Sequence, residues 1–317
     1  MIIKERGVPL AIRTLEALVR RISPNHPSFQ LIKSDLTKRK AGLRGEQSLD
    51  YYLNEPDLDH YSIFHDIRLS VHGHPFQIDT LMLTNQFVLI LEVKNISGTL
   101  HFDQKFNQLI RTTSDGREEG FPDPFSQVSQ QQKRLQDWLH TERFPRIPIE
   151  TLIIIANPST IIKSNSGSHI HKLCHANRLH EKVHTFENRY KQDVLNIKGR
   201  KKLQRTIIKN LLPASIDIAN RYHLERNDIL TGVICPFCSA RPMARVHGNW
   251  SCPHCSTTSK DAHHQTIEDY FLLISPFITN REFRRFTGLQ SRYVAKRLLA
   301  SIPSSGTKKT TVYSPEH

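Results

Sequence analysis

Apolar and polar residues in the first part of the chain recur with the period of an α-helix. Over residues 8–21, leucine and isoleucine alternate with arginine at helical spacing, which predicts an amphipathic N-terminal helix. Leucines also recur among charged residues over 34–53, which predicts a second helix that carries Glu46. Gly42 and Gly45 weaken the middle of this second helix, because glycine is a poor helix former.

From residue 61 onwards the pattern changes to that of β-strands. Strand-like runs lie at 61–69, 76–83, 87–93 and 98–102, and short connections between the first three suit hairpins. A polar loop is expected over 114–124, then a helix over 125–140 and a continuously apolar strand that begins at Thr151. Helices on either side of an antiparallel or mixed sheet indicate an α/β or α+β core.

The second half of the chain is basic and histidine-rich before it becomes cysteine-bearing and helical. Residues 197–209 hold six lysines or arginines and no acid, which is typical of a solvated helical face. The sequence therefore predicts an N-terminal helical segment (1–37), a main α/β domain (38–165), a basic helical connector (166–230), a cysteine-bearing module (231–260), a helical module (261–302) and a flexible tail (303–317).

The net charge of the chain indicates which class of molecule the protein binds. The 317 residues carry a formal net charge of +14, so a polyanion is attracted to the protein whether or not a specific site exists, and nucleic acid is the leading candidate. No apolar run approaches the roughly 20 residues of a membrane-spanning helix, and the first residues lack the apolar stretch of a signal peptide. We therefore expect a soluble, cytoplasmic protein without a membrane partner.

Three ionisable residues in the predicted sheet are the strongest candidates for chemistry. Asp79 lies near the start of one strand, and Glu92 and Lys94 lie at the end of the next. Because side chains alternate along a strand, Glu92 and Lys94 share a face. If 77–83 and 87–93 pair as a hairpin, Asp79 approaches Glu92, and two converging carboxylates repel each other unless a proton or a hard cation neutralises them.

Mg²⁺ suits such a pair of carboxylates, because it prefers oxygen ligands and keeps several waters; Mn²⁺ is the alternative ion. One of these waters can attack a phosphodiester while the ion neutralises the charge that develops on the phosphate. Lys94 is then placed to orient or deprotonate the attacking water, or to stabilise the phosphate. Taken alone, an ExK pattern on a strand more often reflects two solvated charges.

Residues 40–160 resemble the nuclease-related domain, a branch of the PD-(D/E)xK nuclease superfamily. The resemblance rests on Gly45-Glu46 in a helix, Gln77-Ile78-Asp79 in a strand, and Glu92-Val93-Lys94-Asn95 followed by Gly98. It implies a PD-(D/E)xK nuclease-like mixed sheet flanked by helices. It also implies that Asp79 and Glu92 bind metal, that Lys94 is catalytic and that Glu46 assists the metal. All four positions hold chemically competent residues, which favours an active nuclease over a decayed one.

The same family carries an Asn-Pro-x-x-Gln element before its next helix. Here the element runs from Asp123 to Gln127, so the glutamine matches while the leading asparagine is replaced by aspartate. The resemblance implies that Gln127 contacts metal-bound water or the substrate backbone. A role at the N-terminal cap of the helix is the alternative for Gln127.

Two CPxC pairs indicate a structural zinc site. Cys235 and Cys238 form the first pair, and Cys252 and Cys255 form the second, with thirteen residues between the pairs. Four thiolates at this spacing suit a closed tetrahedral Zn²⁺ site, and a zinc ribbon of this size depends on the metal for its folding. Cys174 is left unpaired in a histidine-rich stretch whose spacing matches no closed metal site, so we expect a buried or tolerated thiol.

Residues 279–300 are typical of a helix-turn-helix, with a turn around Gly288. Its many lysines and arginines suit contacts with phosphates and bases, and packing against the main domain is the alternative. The sequence thus predicts a metal-dependent nuclease that hydrolyses phosphodiester bonds, with DNA as the expected substrate and with the zinc ribbon and basic helices aiding substrate binding. The alternative function is a non-catalytic nucleic-acid-binding or regulatory protein that uses the nuclease fold as a scaffold.

Overall fold

A computed structural model of the protein describes residues 1–103, 105–164, 170–213, 221–307 and 310–315. The chain divides into two compact units. The first unit comprises Met1–Val8 with Lys40–Ala214, and the second comprises Pro9–Arg39 with Ser215–His317. Each unit therefore combines two separate stretches of chain. The six predicted segments run consecutively along the sequence, and their boundaries stay predictions.

The first unit is built on a mixed sheet. Its strands in chain order are β1 (Ile2–Lys4), β2 (Ser62–Val71), β3 (His74–Leu83), β4 (Val88–Lys94), β5 (Thr99–Asp103), β6 (Gln108–Thr112), β7 (Glu118–Pro122), β8 (Ile149–Ile155), β9 (Ile161–Ser164) and β10 (Leu173–His175). The larger sheet has the order β1-β2-β3-β4-β8-β10. Strands β2, β3 and β4 are antiparallel neighbours, whereas β8 and β10 continue the sheet in parallel with β4. This mixed sheet with its flanking helices confirms the predicted α/β fold class.

Among the described residues, five α-helices precede the cysteine-bearing part of the chain. They are α1 (Leu10–Arg21), α2 (Phe29–Leu53), α3 (Pro124–Thr141), α4 (Leu179–Arg189) and α5 (Ile197–Lys209), of which α1 belongs wholly to the second unit. Helix α5 buries Leu203 and Ile207 and exposes most of its cations, as expected of a solvated basic face. None of the helices in the described part of the chain combines the length and apolarity needed to span a bilayer.

A smaller sheet of the first unit corrects one expectation from the sequence. Its order is β7-β6-β5-β9, and β7, which lies within the segment that was expected to be a polar loop, pairs with β6. The expectation of a loop over 114–124 is therefore wrong for Glu118–Pro122. This strand lies at the edge of its sheet and its side chains are largely exposed, so it lacks the alternation of apolar residues that marks a half-buried strand.

The second unit combines α1 with elements from the later part of the chain. These are β11 (Ala244–Val246), β12 (Asn249–Ser251), β13 (Thr258–Ser259), α6 (His263–Leu273), β14 (Ile278–Thr279), α7 (Asn280–Thr287), α8 (Arg292–Leu298), β15 (Ser304–Ser305) and β16 (Val312–Tyr313). A fully buried ion pair joins α1 to α6: Arg21 Nε donates to Asp269 Oδ2 at 2.8 Å. Arg21 Nη1 also donates to the carbonyl of Gly232 at 2.6 Å, so the N-terminal helix is attached to the segment before the first cysteine pair.

Candidate functional site

The β3–β4 hairpin brings together the first two predicted site residues. The strands pair with Thr80 opposite Leu91, and the same register continued by one residue places Asp79 opposite Glu92. Asp79 Oδ2 also accepts a hydrogen bond from the Val93 amide at 3.3 Å. The charge of Glu92 raises the pKa of Asp79, so the two carboxylates lie near each other, as expected for the predicted hairpin.

Glu92 is the most buried member of the site, with 2% of its surface exposed. Three side chains donate to its carboxylate. Lys94 Nζ and Gln127 Nε2 both reach Oε1 at 2.7 Å, and Gln131 Nε2 reaches Oε2 at 2.9 Å. Lys94 Nζ also donates to Gln127 Oε1 at 2.9 Å, so Glu92, Lys94 and Gln127 form a closed ring of hydrogen bonds.

Helix α3 carries Gln127 and Gln131, and its N-terminal cap sets where the helix begins. Asp123 caps the helix by accepting hydrogen bonds from the amides of Phe125 and Ser126, and Pro124 occupies the first turn, where its missing N–H is no loss. Gln127 is therefore not the cap. It shares a helix face with Gln131 four residues later, and both side chains point at Glu92. Both aspartate and asparagine can accept hydrogen bonds from backbone amides at a helix N-cap. The aspartate at position 123, where the family has asparagine, is therefore compatible with the same helix.

Glu46 reaches the site on α2 through a close approach of that helix to the end of β4. A Cβ atom on Gly45 would lie 2.3 Å from the Cβ of Asn95, so a side chain at position 45 would force the two elements apart. Asn95 Nδ2 in turn donates to the carbonyl of Ala41 at 2.7 Å. The glycine before Glu46 and the asparagine after Lys94 thus form the contact between helix and strand.

Arg6 is a site residue that the sequence did not reveal. Its buried guanidinium donates from Nη1 to Glu46 Oε2 at 2.6 Å and from Nη2 to Asp50 Oδ1 at 3.0 Å. The same Nη2 lies 2.9 Å from His65 Nδ1 and 3.2 Å from Thr80 Oγ1. Arg6 therefore joins α2 to β2 and β3 behind Glu46. No local pattern marks it, because its partners lie 40 or more residues away along the chain.

The electrostatics of the site favour a cation. Burial raises the pKa of Asp79 well above its usual range, and the negative charges of Glu92 and Glu46 raise it further. Burial also raises the pKa of Glu46, against the opposing effect of Arg6. For His65, burial and the charge of Arg6 lower the pKa to about 4, so this ring is neutral near pH 7 and accepts from Arg6.

The carboxylates fit a hard divalent ion in one specific way. Among the described residues, no set of three or more carboxylates has its oxygens within 4.8 Å of one another. A cage made entirely of protein ligands is therefore not built here. Mg²⁺ is commonly held by one or two carboxylates together with waters and substrate phosphate, and Asp79 with Glu92 provides such a pair. Glu46 stands nearby on α2, close enough to raise the pKa of Asp79.

The four cysteines of the second unit form a separate metal-binding group. Their sulfur atoms all lie within 4.8 Å of one another, and the Cys235–Cys255 and Cys238–Cys252 sulfurs are 3.6 Å apart. A tetrahedral ion with metal–sulfur bonds of about 2.3 Å requires sulfur separations of about 3.8 Å. These cysteines can therefore hold a metal ion such as zinc without rearrangement.

Cys174 is not part of the four-cysteine group. It lies on β10 with 5% of its surface exposed, and burial raises the pKa of its thiol to about 11. Nearby, His180 Nε2 lies 2.9 Å from the carbonyl oxygen of Tyr52. His169 lies outside the described residues. The burial of Cys174 agrees with the expectation of a buried thiol. Within the described residues the histidines of this stretch form no metal-binding group with it.

Comparison with known proteins identifies the region that holds the candidate active site. Residues 41–156 match the family model of the nuclease-related domain. A crystal structure of a protein from Vibrio cholerae is 9% identical, with a TM-score of 0.26, and the match covers 59% of this chain and 58% of that one. The small subunit of a heterodimeric restriction endonuclease is 13% identical, with a TM-score of 0.21, and the match covers 53% and 79% of the respective chains. No curated protein matches the chain. The matched region contains every residue predicted for the nuclease site, namely Glu46, Asp79, Glu92, Lys94 and Gln127.

Proposed function

We propose that this protein is a metal-dependent nuclease that hydrolyses phosphodiester bonds of DNA, and the match of residues 41–156 to the nuclease-related domain supports this proposal. The observation that carries the proposal is the hydrogen-bonded group of Glu92, Lys94 and Gln127, with Asp79 bonded to the Val93 amide beside it. Two carboxylates and an ammonium on one face of a sheet can neutralise an ion and a phosphate together.

In this proposal Asp79 and Glu92 hold Mg²⁺ or Mn²⁺, and Glu46 assists from α2. A bound ion supplies positive charge that offsets the charge developing on the phosphate. Lys94 has three N–H donors, of which two are directed at Glu92 and Gln127. The third donor remains for the attacking water or a phosphate oxygen. Gln127 acts as a positioning residue, because its amide oxygen fixes the direction of the ammonium.

The positive charge of Arg6 has a defined effect in this site. It lies against Glu46 and Asp50, and it lowers the pKa of Glu46 in opposition to burial. Arg6 therefore favours the ionised carboxylate that metal binding requires. It is a positioning residue, because its contacts are with Glu46 and the sheet.

One observation favours a second candidate function, that of a non-catalytic nucleic-acid-binding protein. Both carboxylate oxygens of Glu92 already accept hydrogen bonds from Lys94, Gln127 and Gln131. Such a carboxylate is stable without a cation, and a nuclease fold of this kind can serve as a scaffold. In both candidates the four cysteines hold structural Zn²⁺, and the basic helices of the second unit aid the binding of nucleic acid.

The test is incubation of the purified protein with linear duplex, circular duplex and single-stranded DNA, and with RNA, each with and without Mg²⁺ or Mn²⁺. Glu92→Gln protein purified in parallel controls for contaminating nucleases. Cleavage that requires a divalent ion and is lost in the variant supports the proposal, and the substrate panel identifies the nucleic acid. Binding without cleavage under all conditions favours the second candidate. A protein that neither binds nor cleaves any of these nucleic acids contradicts both candidates.

A further inference from the structure

The second unit contains a basic cavity whose lining includes none of the four cysteines. It lies between α7, α8 and β16 and has a volume of about 730 Å³. Four cationic side chains line it, namely Arg281 and Arg284 from α7 and Arg292 and Lys296 from α8. None of the described residues that line it is an aspartate or a glutamate. A cavity of this composition attracts anions over several ångströms.

The walls of the cavity are held in place by hydrogen bonds. Helix α7 begins with a capping box in which Thr279 and Glu282 satisfy each other's backbone amides. Asn280 Nδ2 donates to the carbonyl of Arg292 at 3.1 Å, which ties the first turn of α7 to the start of α8. Arg284 donates from Nε to Asn280 Oδ1 and from Nη1 to the carbonyl of Gln290, both at 3.2 Å. Arg284 thus braces the cavity and contributes its charge.

The other three cations are not committed to protein partners. Arg281, Arg292 and Lys296 are exposed, and none of them has a carboxylate within ion-pair distance among the described residues. Elsewhere in the same unit, Arg20 and Arg21 share Asp269. Uncompensated cations around a braced cavity are costly through mutual repulsion, and an anion removes that cost.

We propose that this cavity binds the phosphate backbone of nucleic acid. The inference rests on the proposed function in taking nucleic acid as the partner, and it identifies where the second unit holds it. The cavity has four cations and a volume of about 730 Å³, which is more charge and more space than one phosphate group requires. A nucleic-acid strand offers one negative charge about every 3.4 Å, so it can engage several of these side chains at once. The exposed ring of Tyr293 follows Arg292 on α8, where a base can stack on it.

The test uses full-length protein loaded with zinc and carrying Glu92→Gln, so that bound DNA is not cut. Binding of fluorescently labelled duplex and single-stranded DNA is measured by anisotropy over a series of salt concentrations. The test variant changes Arg281, Arg292 and Lys296 to alanine. A matched control removes the same charge from α5 in the first unit, by alanine at Lys198, Lys201 and Arg205.

We expect the cavity variant to lose affinity about tenfold or more near physiological salt and to lose about two to three units of the log–log salt slope, because each phosphate contact contributes nearly one unit. The α5 control keeps an affinity and slope close to those of the parent. A second variant with Arg281→Lys and Arg292→Lys, and with Lys296 unchanged, should keep most of the binding, since the charge is retained. Circular dichroism and Tm confirm that each variant is folded.

Several outcomes overturn the inference. Equal losses in the cavity variant and the α5 control show general attraction without a site. An unchanged affinity and slope in the cavity variant show that the cavity does not hold nucleic acid. Binding to phosphatidylserine-rich vesicles that depends on these three residues, with DNA binding intact, assigns the cavity to a membrane surface instead. Failure of the proposed nuclease function is distinguishable, because this test is carried out in protein that cannot cleave.

Discussion

Replacing Glu92 by glutamine tests the candidate active site directly. The change removes one negative charge and replaces one carboxylate oxygen by an amide that donates hydrogen bonds. In the native site Lys94, Gln127 and Gln131 all donate to Glu92, so a new donor at this position faces other donors. The structure offers one way to resolve this conflict. The buried Oε1 of Gln131 has no hydrogen-bond partner among the described residues, and it can accept from the new amide once the Gln131 amide rotates.

The energetic consequence follows from the bonds that change. Rotation of Gln131 gives up the hydrogen bond from its Nε2 to the carbonyl of Gln77, a loss of about 1 kcal/mol. The bond from Lys94 weakens by about 1 kcal/mol when its acceptor becomes neutral. Relief of repulsion with Asp79 acts in the opposite direction, since the charge of Glu92 raises the pKa of Asp79. We therefore expect Tm to change by only about 5 °C.

Cleavage responds far more strongly than stability. Loss of a group that binds the cation lowers the rate by at least about 100-fold, which is typical of removing one electrostatic contact from a transition state. The assay is cleavage of labelled DNA with Mg²⁺, together with thermal unfolding of each variant. Glu118→Gln, an exposed carboxylate on β7, makes the same chemical change outside the site and should leave both properties unchanged. Normal cleavage by Glu92→Gln would exclude Glu92 from the mechanism, and a collapse of Tm would refute the rotation of Gln131.

Three further changes test separate parts of the structure. For Lys94→Ala we expect cleavage at least about 100-fold slower with divalent-ion binding retained, measured by single-turnover kinetics and calorimetry, and normal turnover would locate catalysis elsewhere. Changing Cys235 and Cys238 to serine should abolish stoichiometric zinc, measured by metal analysis, whereas Cys174→Ser should retain it; the reverse result would contradict the four-cysteine site. The pKa of His65 is about 6.5 in the unfolded chain and about 4 in the folded protein. Its neutral ring therefore contributes about 3 kcal/mol to the free energy of unfolding above pH 6.5, and this contribution is lost as the pH falls towards 4. His65→Asn, which keeps an acceptor for Arg6, should flatten that part of the pH dependence in urea unfolding, and an unaltered profile would show that folding does not lower the pKa of His65.

The sequence predicted the elements whose pattern is local. The alternation of apolar residues located β2, β3 and β4, and their short connections implied the hairpin that places Asp79 beside Glu92. The four cysteines were recognisable from spacing alone, since the chemistry of a CxxC pair is encoded within four residues. These features can be predicted from residues that are close together in the sequence.

Contacts between distant residues were not predictable in the same way. Arg6 resembles any other basic residue of the N-terminal segment, and only the fold brings it to Glu46. Gln131 left a usable signal, because it lies four residues after Gln127 and so on the same helical face. Helix α1 was expected from its period, but its attachment to α6 through Arg21 and Asp269 spans 248 residues.

The interleaving of the two units has a consequence for synthesis of the protein. Helix α1 emerges from the ribosome early, yet its apolar residues Leu15 and Leu18 pack in a core completed by residues from 222 onwards. At a translation rate of about 5 to 20 residues per second, these side chains remain uncovered for on the order of ten to forty seconds. During that interval the first unit acquires its whole sequence, while α1 presents an apolar face that chaperones or other nascent chains can bind. Production of this protein should therefore depend on chaperone capacity more than its size suggests.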